Sequence, residues 1–322
     1  MSTAKNQTEN SQEENGATNL LDGRFSGEGI FIVGANGQLG TELLKKYPNA
    51  KSADIDKLDI TNKESVEKFD WSDIDVLINA AAYTNVDGAE SEEGRSAAWA
   101  VNADAVANLV AVAAQHDMTL VHISTDYVFD GTVEVHTEDE AFAPLSVYGA
   151  SKAAGDIAVS LAPKFYILRT SWVIGEGNNF VRTMMSLAEK DISPTVVHDQ
   201  IGRLTFTSEL VRAIDHLLQG PKKSNIKYQI SNMGTSFPYG TYNVTNSGKP
   251  ASWADITRKI FNLIGRDDLT VTNISTVDYY KGKENIAPRP LQSTLDLTKI
   301  QSTGFDSRDW QEELIKFVKD NT

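Results

Sequence analysis

The stretch Gly29-Ile30-Phe31-Ile32-Val33-Gly34-Ala35-Asn36-Gly37-Gln38-Leu39-Gly40 decides the fold. Its short apolar run is typical of a buried parallel strand. The run ends in three glycines spaced three apart, and residues 39–47 then favour a helix. Glycines at such a turn let a pyrophosphate approach the backbone, where the free N–H groups of the helix N-terminus stabilise it. The stretch predicts a dinucleotide-binding turn. Because its spacing is not the usual Gly-x-Gly-x-x-Gly, a glycine-rich turn without a ligand is the alternative.

Two aspartates follow where a second strand should end. Asp54 lies about twenty residues after the first glycine, the distance at which a carboxylate can bond the adenine ribose 2′-hydroxyl. Such a carboxylate would repel a 2′-phosphate, so it favours NADH over NADPH. Asp56 is a rival for this role, and both residues could instead belong to a turn. The next loop, Asp59-Ile60, leads to Thr61 or Asn62, either of which could cap the following helix.

Strand and helix patterns alternate further along the chain. Apolar runs at 74–79, 118–124 and 165–169 predict three more strands, and an alanine-rich helix over residues 95–116 precedes the second of them. This alternation predicts an α/β fold with a Rossmann-like, doubly wound parallel sheet. Ligands of such sheets bind beyond the carboxyl ends of the strands. Gly34, Thr125 and the small residues Ala80-Ala81-Ala82 fall on that edge.

A tyrosine four residues before a lysine occurs three times, at Tyr47, Tyr148 and Tyr279. On a helix the two side chains share a face, and an ammonium there favours the phenolate, which makes the phenol a better proton donor near neutral pH. Tyr47 precedes Pro48, which disfavours a helix at that tyrosine. Tyr279 lies far along the chain from any predicted sheet edge. Tyr148, which begins a predicted helix over residues 148–162 after the fourth strand, is therefore the candidate proton donor, with Lys152 beside it.

Composition narrows the class of function. The chain of 322 residues has room for one large α/β domain and a smaller lobe. The absence of cysteine excludes disulfides, thiolate zinc sites and a cysteine nucleophile. A net charge of −14 argues against binding of nucleic acid through a general electrostatic field. No apolar stretch is long enough, by sequence alone, to predict a membrane span.

Three segments are predicted. Residues 1–27, rich in Asn, Gln, Glu, Ser and Thr, are expected to be a disordered tail or a linker, without the basic start and apolar core of a signal peptide. Residues 28–172 are expected to form an NAD(P)-binding Rossmann domain. Residues 173–322 are expected to form mainly a smaller C-terminal substrate-binding lobe, interleaved with returns to the sheet.

Several motifs in the chain together resemble the extended short-chain dehydrogenase/reductases. They are the glycine stretch, Asn79-Ala-Ala-Ala-Tyr-Thr, Ser124-Thr-Asp-Tyr-Val-Phe-Asp-Gly, Tyr148-x-x-x-Lys152 and Arg169-Thr-Ser-Trp-Val. Within that superfamily, the stretches around Asp126, Trp172, Gly177-Asn-Asn-Phe, Asp199-Gln-x-Gly and Arg289-Pro-x-x-Ser resemble the dTDP-4-dehydrorhamnose reductase family. The resemblance covers residues 30–317.

The resemblance implies a ketone reduction with a nicotinamide cofactor, NADPH or NADH, on a dTDP-sugar substrate in dTDP-rhamnose biosynthesis. Tyr148 would protonate the developing alkoxide, Thr125 would donate a hydrogen bond to the same oxygen, and Lys152 would hold the nicotinamide ribose and keep Tyr148 acidic. The family's reaction is usually written with NADPH, whereas Asp54 favours NADH, so we expect both cofactors to be used.

The remaining roles implied by the resemblance fall into two sets. The cofactor-binding set is Gly34, Asn36, Gly37, Gln38, Leu39, Gly40, Asp54, Asp59, Ile60, Ala80, Ala81, Ala82, Tyr83, Asn102, Tyr148 and Lys152. The substrate set is Thr84, Val86, Thr125, Asp126, Tyr127, Trp172, Asn178, Phe180, Arg203 and Arg289. Alternatives remain open for three members of the second set, because Trp172 would also suit a buried core and Arg203 and Arg289 would also suit salt bridges.

The resemblance also suggests partners. Some relatives dimerise through Mg²⁺ held by glutamates, for which Glu42, Glu209 and Glu312 are the candidates here, although separated glutamates are also typical of a solvated surface. A homodimer, a covalent or non-covalent association with a 3,5-epimerase, and a cytoplasmic location are expected. Two rival functions are an extended reductase, epimerase or dehydratase for another nucleotide sugar, and a non-catalytic NAD(P)-sensing subunit. The Asp126-Tyr127 pair departs from the Asp-Glu of the dehydratases, and the presence of both Tyr148 and Lys152 disfavours the regulatory subunit.

Overall fold

The computed structural model describes residues 27–221 and 236–322. The prediction for residues 1–27 therefore lies outside the described residues, apart from Gly27. The strands are β1 Ile30–Val33, β2 Lys51–Ala53, β3 Val76–Asn79, β4 Thr119–Thr125, β5 Phe165–Thr170, β6 Val173–Ile174, β7 Thr195–Val197, β8 Ile201–Gly202, β9 Thr205–Phe206, β10 Gly240–Asn243, β11 Ala251–Ser252 and β12 Thr272–Ile274.

A parallel sheet of six strands forms the centre of the molecule, in the order β2-β1-β3-β4-β5-β10. This confirms the predicted α/β fold with a doubly wound parallel sheet. The direction of winding reverses at β1, because β2 lies on one side of it and β3 on the other. The last strand, β10, comes from the chain beyond the predicted boundary at residues 172 and 173, so the sheet is built from both segments.

Helices cover both faces of this sheet. The helices are α1 Gln38–Lys46, α2 Lys63–Lys68, α3 Glu92–Trp99, α4 Ala105–Gln115, α5 Val147–Val159, α6 Phe180–Glu189, α7 Thr207–Gln219, α8 Trp253–Leu263, α9 Thr276–Tyr280, α10 Thr298–Ser302 and α11 Trp310–Asp320. A π-helical turn, Ala100–Asp104, joins α3 to α4, so the predicted helix over residues 95–116 is one continuous helical stretch with a local widening.

Strand β1 shows why the sheet is buried on both faces. All four of its residues are apolar and buried, and successive side chains point to opposite faces. Ile30 and Ile32 pack in a core with α1 and α7, whereas Phe31 and Val33 pack in a second core with α2 and α4. A strand with an apolar residue at every position can bury both of its faces only between two helical layers.

The small lobe packs α6, α8 and α11 around a third core. Ser252 begins α8 with a capping box, in which its hydroxyl accepts from the N–H of Asp255 and the Asp255 carboxylate accepts from the N–H and hydroxyl of Ser252. The predicted Ser252 cap is confirmed. Asn62, rather than Thr61, caps α2 by accepting from the N–H of Ser65.

A buried ion pair joins α5 to the sheet. The Nε of Arg169, on β5, donates to Asp156 Oδ2 at 2.9 Å, and both side chains are buried. The guanidinium also donates to the carbonyl of Glu138 and lies over the rings of Phe129 and Phe142. Because Asp156 lies two turns after Tyr148, this pair fixes the helix that carries the candidate proton donor.

The helical stretch 92–115 is long and apolar enough, by length and composition, to cross a membrane. The sequence prediction that no stretch reaches this threshold was therefore wrong. In the fold, Ala105, Leu109 and Val112 of this stretch are buried against the sheet. Apolar residues of this stretch therefore pack in the protein core.

Candidate active site

The glycine turn after β1 brings the backbone of two strands close together. Gly34 has φ +77°, and a Cβ there would lie 2.5 Å from the backbone nitrogen of Ala81 at the end of β3. A Cβ on Gly40 would lie 2.2 Å from the carbonyl oxygen of Gly34. Any other residue at either position would push apart elements that the turn holds in contact.

Helix α1 begins at this turn with free backbone donors. Its N-cap is Gly37, which offers no side chain to cap the helix, and no acidic residue lies in the first turn. The first N–H groups of a helix have no partner within it, and with the helix dipole they favour an anion. The turn therefore fits the pyrophosphate of a dinucleotide.

A cleft of about 330 Å³ lies along the carboxyl ends of β1, β2 and β3. It is lined by Val33, Gly34, Gly37, Asp54, Ile55, Leu58, Asp59, Ile60, Thr61, Ala80, Ala81, Ala82, Tyr83 and Val101. Nine members of the predicted cofactor set are among these residues, and no lining residue is basic. The lining residues thus fit a flat, anionic cofactor, and none of them would place a positive charge beside the 2′-position of its adenine ribose.

Asp54, the residue predicted to bind the ribose, lines this cleft. Its Oδ2 accepts from the N–H of Asn36 at 3.0 Å and its Oδ1 from the N–H of Ile55 at 2.8 Å, which holds the carboxylate at the mouth of the cleft. The rival, Asp56, is exposed and is not among the residues that line the cleft. Exposed Ile55 adds an apolar surface beside Asp54 that the sequence analysis did not single out.

The other predicted cofactor residues lie around the cleft. Leu39 is a core residue, and Gln38 donates to the carbonyl of Asn178 at 3.3 Å, which links the glycine turn to the small lobe. Asn102, within the π-helical turn, holds the backbone of Tyr83 by two hydrogen bonds and donates to the hydroxyl of Ser151 at 3.0 Å. Asn102 thus connects the cleft to α5, which carries Tyr148 and Lys152.

Tyr148 lies at the first turn of α5, at the carboxyl edge of the sheet. Ser146 caps this helix by accepting from the N–H of Gly149, so the predicted helix is confirmed. The hydroxyl of Thr125, the last residue of β4, hydrogen-bonds to Tyr148, and the ring of Tyr127 meets the Tyr148 ring edge-on at 5.5 Å. The two rejected tyrosines serve elsewhere: Tyr47 donates to Asp215, and Tyr279 lies under the ammonium of Lys283.

The predicted influence of Lys152 on Tyr148 needs correction. Burial raises the pKa of Tyr148, the charge of Asp126 raises it further, and the hydrogen bond with Thr125 lowers it. Lys152 is not among the groups that shift this pKa, and its Nζ donates to the carbonyl of Ile123 at 2.6 Å. Burial lowers the pKa of Lys152 to about 8.

Asn79 and His122 are two site residues that the sequence analysis missed. Both are fully buried, and His122 Nε2 lies 3.3 Å from Lys152 Nζ while His122 Nδ1 lies 3.1 Å from Asn79 Nδ2. Burial and the charge of Lys152 place the pKa of His122 well below its usual value. A polar residue inside an apolar strand pattern was the available signal, since such residues are buried only with partners.

Asp126 is buried beside Tyr148. Its Oδ1 accepts from the Thr125 hydroxyl at 3.1 Å, and Ser293 also hydrogen-bonds to this carboxyl. Its Oδ2 has no hydrogen-bond partner among the described residues. Burial raises the pKa of Asp126 to about 6, against the hydrogen bonds that lower it. The site therefore holds a buried carboxyl group with one oxygen that has no protein partner among the described residues.

Trp172 forms part of an aromatic stack in the small lobe. Its ring stacks on Trp253 at 3.8 Å, and Trp253 contacts Phe180 at 4.3 Å. Trp172 has φ +48°, a strained value for a large residue, so the surrounding structure holds it in place. Trp253 was predicted only as the start of a helix, and its role in the stack was missed.

The other predicted substrate residues lie in different surroundings. Arg289 forms a two-pronged ion pair with Asp87, with distances of 2.7 and 2.9 Å, and Arg203 donates to the carbonyl of Leu295. The salt bridge that the sequence analysis held open is therefore found for Arg289, whereas Arg203 has a backbone carbonyl as its partner. Val86 packs in a small apolar cluster with Tyr148, whereas Thr84 and Asn178 are exposed.

The three glutamates do not form a metal site. Glu209 is buried and its carboxylate is occupied by Arg212 and the N–H of Arg308. Glu42 pairs with Lys45, and Glu312 is exposed on α11. Among residues 27–221 and 236–322, no three acidic or histidine side chains are grouped as metal ligands would be. The predicted Mg²⁺ site is not supported.

The fold and this site define an NAD(P)-dependent oxidoreductase of the extended short-chain dehydrogenase/reductase type. Residues 28–322 match the family described as the RmlD substrate binding domain. The chain is 40% identical to the dTDP-4-dehydrorhamnose reductase of Aggregatibacter actinomycetemcomitans over 301 residues, which are 88% of this chain and 96% of that protein. The chain therefore belongs to the RmlD substrate binding domain family.

Two solved structures show the same fold. A dTDP-4-dehydrorhamnose reductase from Clostridium acetobutylicum superposes with a TM-score of 0.79 at 38% identity, covering 91% of this chain and 99% of the other. The dTDP-4-dehydrorhamnose reductase of Bacillus anthracis, solved in complex with NADP, gives a TM-score of 0.77 at 34% identity with the same coverage.

Proposed function

We propose that this protein reduces the C4 ketone of dTDP-4-dehydro-β-L-rhamnose to give dTDP-β-L-rhamnose. The observation that carries the proposal is the hydrogen-bonded pair of Tyr148 and Thr125 at the carboxyl edge of the sheet, on the same edge as the glycine cleft. A ketone reduction needs a hydride donor, a proton donor and stabilisation of the developing oxyanion, and this edge brings the last two together.

A nicotinamide cofactor, when bound, supplies the hydride. Tyr148 then donates its phenolic proton to the developing alkoxide, and Thr125 donates a hydrogen bond to the same oxygen. The raised pKa of the Tyr148 phenol keeps it protonated and ready to donate at neutral pH. Lys152 lies one turn along the same buried helical face, where it would hold the ribose of the cofactor.

Both NADH and NADPH are proposed as cofactors, with NADH preferred. The carboxylate of Asp54 lines the cleft and would accept from a ribose 2′-hydroxyl but repel a 2′-phosphate. No lysine or arginine among the cleft residues would compensate that repulsion. The bound NADP of the Bacillus anthracis relative supports use of the second cofactor by such a fold.

The sugar nucleotide is proposed to lie between the sheet edge and the small lobe. Asp126, with one carboxyl oxygen free of protein partners, would bind a sugar hydroxyl beside Tyr148. The stack of Trp172 and Trp253 offers an aromatic edge to a base or sugar. Arg289 would serve the diphosphate by exchanging Asp87 for phosphate oxygens, for which a guanidinium is equally suited.

The partners predicted from the sequence stay predictions. They are a homodimer and an association with a 3,5-epimerase, and a cytoplasmic location is proposed with them. Light scattering of the purified protein would decide the first, and co-purification with the epimerase would decide the second.

The test is turnover with a defined substrate. The purified protein is incubated with dTDP-4-dehydro-β-L-rhamnose and either cofactor, and oxidation is followed by absorbance. NMR of the product then assigns the configuration at C4. Oxidation giving dTDP-β-L-rhamnose is expected, and no oxidation with either cofactor would refute the proposal. Faster turnover of another dTDP-4-keto sugar would instead support the rival nucleotide-sugar reductase.

A further inference from the structure

The third tyrosine–lysine pair of the sequence, Tyr279 on α9 and Lys283 just after it, has no part in the catalytic assignment. Lys283 Nζ lies 3.6 Å from the centroid of the Tyr279 ring and 5.9 Å from that of the Tyr280 ring. The guanidinium carbon of Arg289 lies 5.3 Å from the centroid of the same Tyr280 ring. Two cations therefore meet at one half-buried tyrosine, whose ring favours a positive charge.

Asp87 is the anion that these two cations share. Arg289 donates to its two carboxyl oxygens at 2.7 and 2.9 Å, and the N–H of Ala287 donates to Oδ1 at 3.1 Å. Burial raises the pKa of Asp87, but the hydrogen bonds from Arg289 and Ala287 and the charges of Arg289 and Lys283 outweigh burial and lower this pKa. The cluster of Asp87, Lys283 and Arg289 thus sets two positive charges against one negative charge.

The ammonium of Lys283 is the member of this cluster that is most open to a ligand. Its side chain is exposed, and in the part of the chain that the structure describes no carboxylate forms an ion pair with it. The side chain of Arg289 is 17% exposed and that of Asp87 is 41% exposed. An anion from solution can therefore reach both the surplus positive charge and the carboxylate that it would replace.

The cluster lies beside the candidate active site. Burial raises the pKa of Tyr127 and the charge of Arg289 lowers it, so these two groups are neighbours. The Tyr127 ring in turn meets the Tyr148 ring edge-on at 5.5 Å. A ligand that extends from Tyr148 past Tyr127 therefore comes to Arg289 and then to Lys283.

We infer that Lys283 is a second cation for the diphosphate of the sugar nucleotide and determines a preference for a diphosphate over a monophosphate. The assignment rests on the proposed function, in which Arg289 exchanges Asp87 for phosphate oxygens. A guanidinium binds one phosphoryl group with two parallel hydrogen bonds, and an ammonium, as a compact point charge, binds the neighbouring phosphoryl group. A monophosphate satisfies Arg289 alone, whereas a diphosphate satisfies both cations.

Calorimetric titration with dTDP and with dTMP tests this assignment, because neither ligand carries a ketone to be reduced. Lys283→Gln removes the charge and keeps a polar side chain, Lys283→Arg restores a charge, and Lys281→Gln is the matched control, exposed two residues away. In Lys283→Gln, the Kd for dTDP should rise about threefold to tenfold, the effect of one partly exposed charge-assisted contact, and the Kd for dTMP by less than about twofold. Lys283→Arg and Lys281→Gln should bind dTDP within about twofold of wild type.

Salt separates the effect of charge from that of shape. The difference in the Kd for dTDP between wild type and Lys283→Gln should shrink at high ionic strength, because exposed charges are screened. An unchanged Kd for dTDP in Lys283→Gln, an equal rise in the Kd for dTMP, no recovery in Lys283→Arg, or a difference that salt does not reduce would overturn the inference. Binding of dTDP needs no turnover, so a protein that shows this dependence on Lys283 but does not reduce the keto-sugar would refute the proposed reduction and leave the role of Lys283 intact.

Discussion

Asp54→Asn is expected to shift cofactor preference from NADH toward NADPH. The substitution keeps the shape of the side chain and one oxygen acceptor for the N–H of Asn36, but it removes the negative charge at the mouth of the cleft. The ribose hydroxyl then loses a charge-assisted hydrogen bond, and a 2′-phosphate loses a repulsive neighbour.

The magnitude follows from these two terms. Two unit charges about 5 Å apart at an effective dielectric constant of about 20 interact by roughly 3 kcal/mol. Since Asp54 is only partly buried, solvent screening should reduce this to about 1–2 kcal/mol, a gain of roughly tenfold in kcat/KM for NADPH. The weaker bond to the ribose should cost NADH about 1 kcal/mol, or roughly fivefold to tenfold. The ratio of the two kcat/KM values should therefore change by about 50- to 100-fold.

Steady-state kinetics with both cofactors at saturating keto-sugar measures this ratio. Damage to the loop would lower both kcat/KM values together, so the ratio isolates the effect of charge. Asp56→Asn is the matched control, because Asp56 is exposed two residues away and does not line the cleft. An unchanged ratio in Asp54→Asn, or an equal change in Asp56→Asn, would refute the assignment of Asp54 to the ribose.

Two further predictions concern buried charge. Arg169→Ala leaves the Asp156 carboxylate buried without its cation, so it should destabilise the fold by about 3–5 kcal/mol and lower Tm by roughly 10 °C in calorimetry. The control is Lys164→Ala, which breaks an exposed ion pair and should change Tm by about 2 °C or less. A Tm of Arg169→Ala within that smaller range would contradict the role of the pair. The second prediction concerns the pH dependence of stability in Asp126→Asn. In the folded state Asp126 keeps its proton up to about pH 6, whereas the unfolded chain releases it near the ordinary pKa of 3.8. The folded wild-type protein therefore loses stability as the pH rises between those two values. The Tm of Asp126→Asn relative to wild type should thus be higher at pH 7 than at pH 4, and a difference in Tm that does not change with pH would count against a buried carboxyl with a raised pKa.

Much of the fold could be read from local patterns. The apolar run of β1 with Gly34 and Gly40, the start of α5 close to Tyr148 and the end of α1 before Pro48 are each determined by residues adjacent in sequence. Such features follow from backbone stereochemistry and capping, which need no knowledge of the rest of the molecule.

The parts that escaped prediction depend on residues far apart in the chain. His122 meets Asn79 and Lys152 only because β4 pairs with β3, which carries Asn79, and packs against α5, which carries Lys152. Likewise, Trp253 meets Trp172 across 81 residues of sequence, and no periodicity or spacing indicates that pairing. The expected effect of Lys152 on Tyr148 was inferred from spacing, whereas the actual direction of Nζ is determined by the carbonyl of Ile123.

The most direct test of the central claim compares Tyr148→Phe with wild type in the reduction of dTDP-4-dehydro-β-L-rhamnose. The variant keeps the ring in its buried site but removes the proton, so kcat should fall by about 10²- to 10⁴-fold while the Kd for NADH, measured by calorimetric titration, stays near wild type. Tyr47→Phe, a buried tyrosine with the same spacing to a lysine but remote from the edge of the sheet that carries the site, should keep its turnover. A kcat of Tyr148→Phe near that of wild type would contradict the account, because the proton would then come from another group.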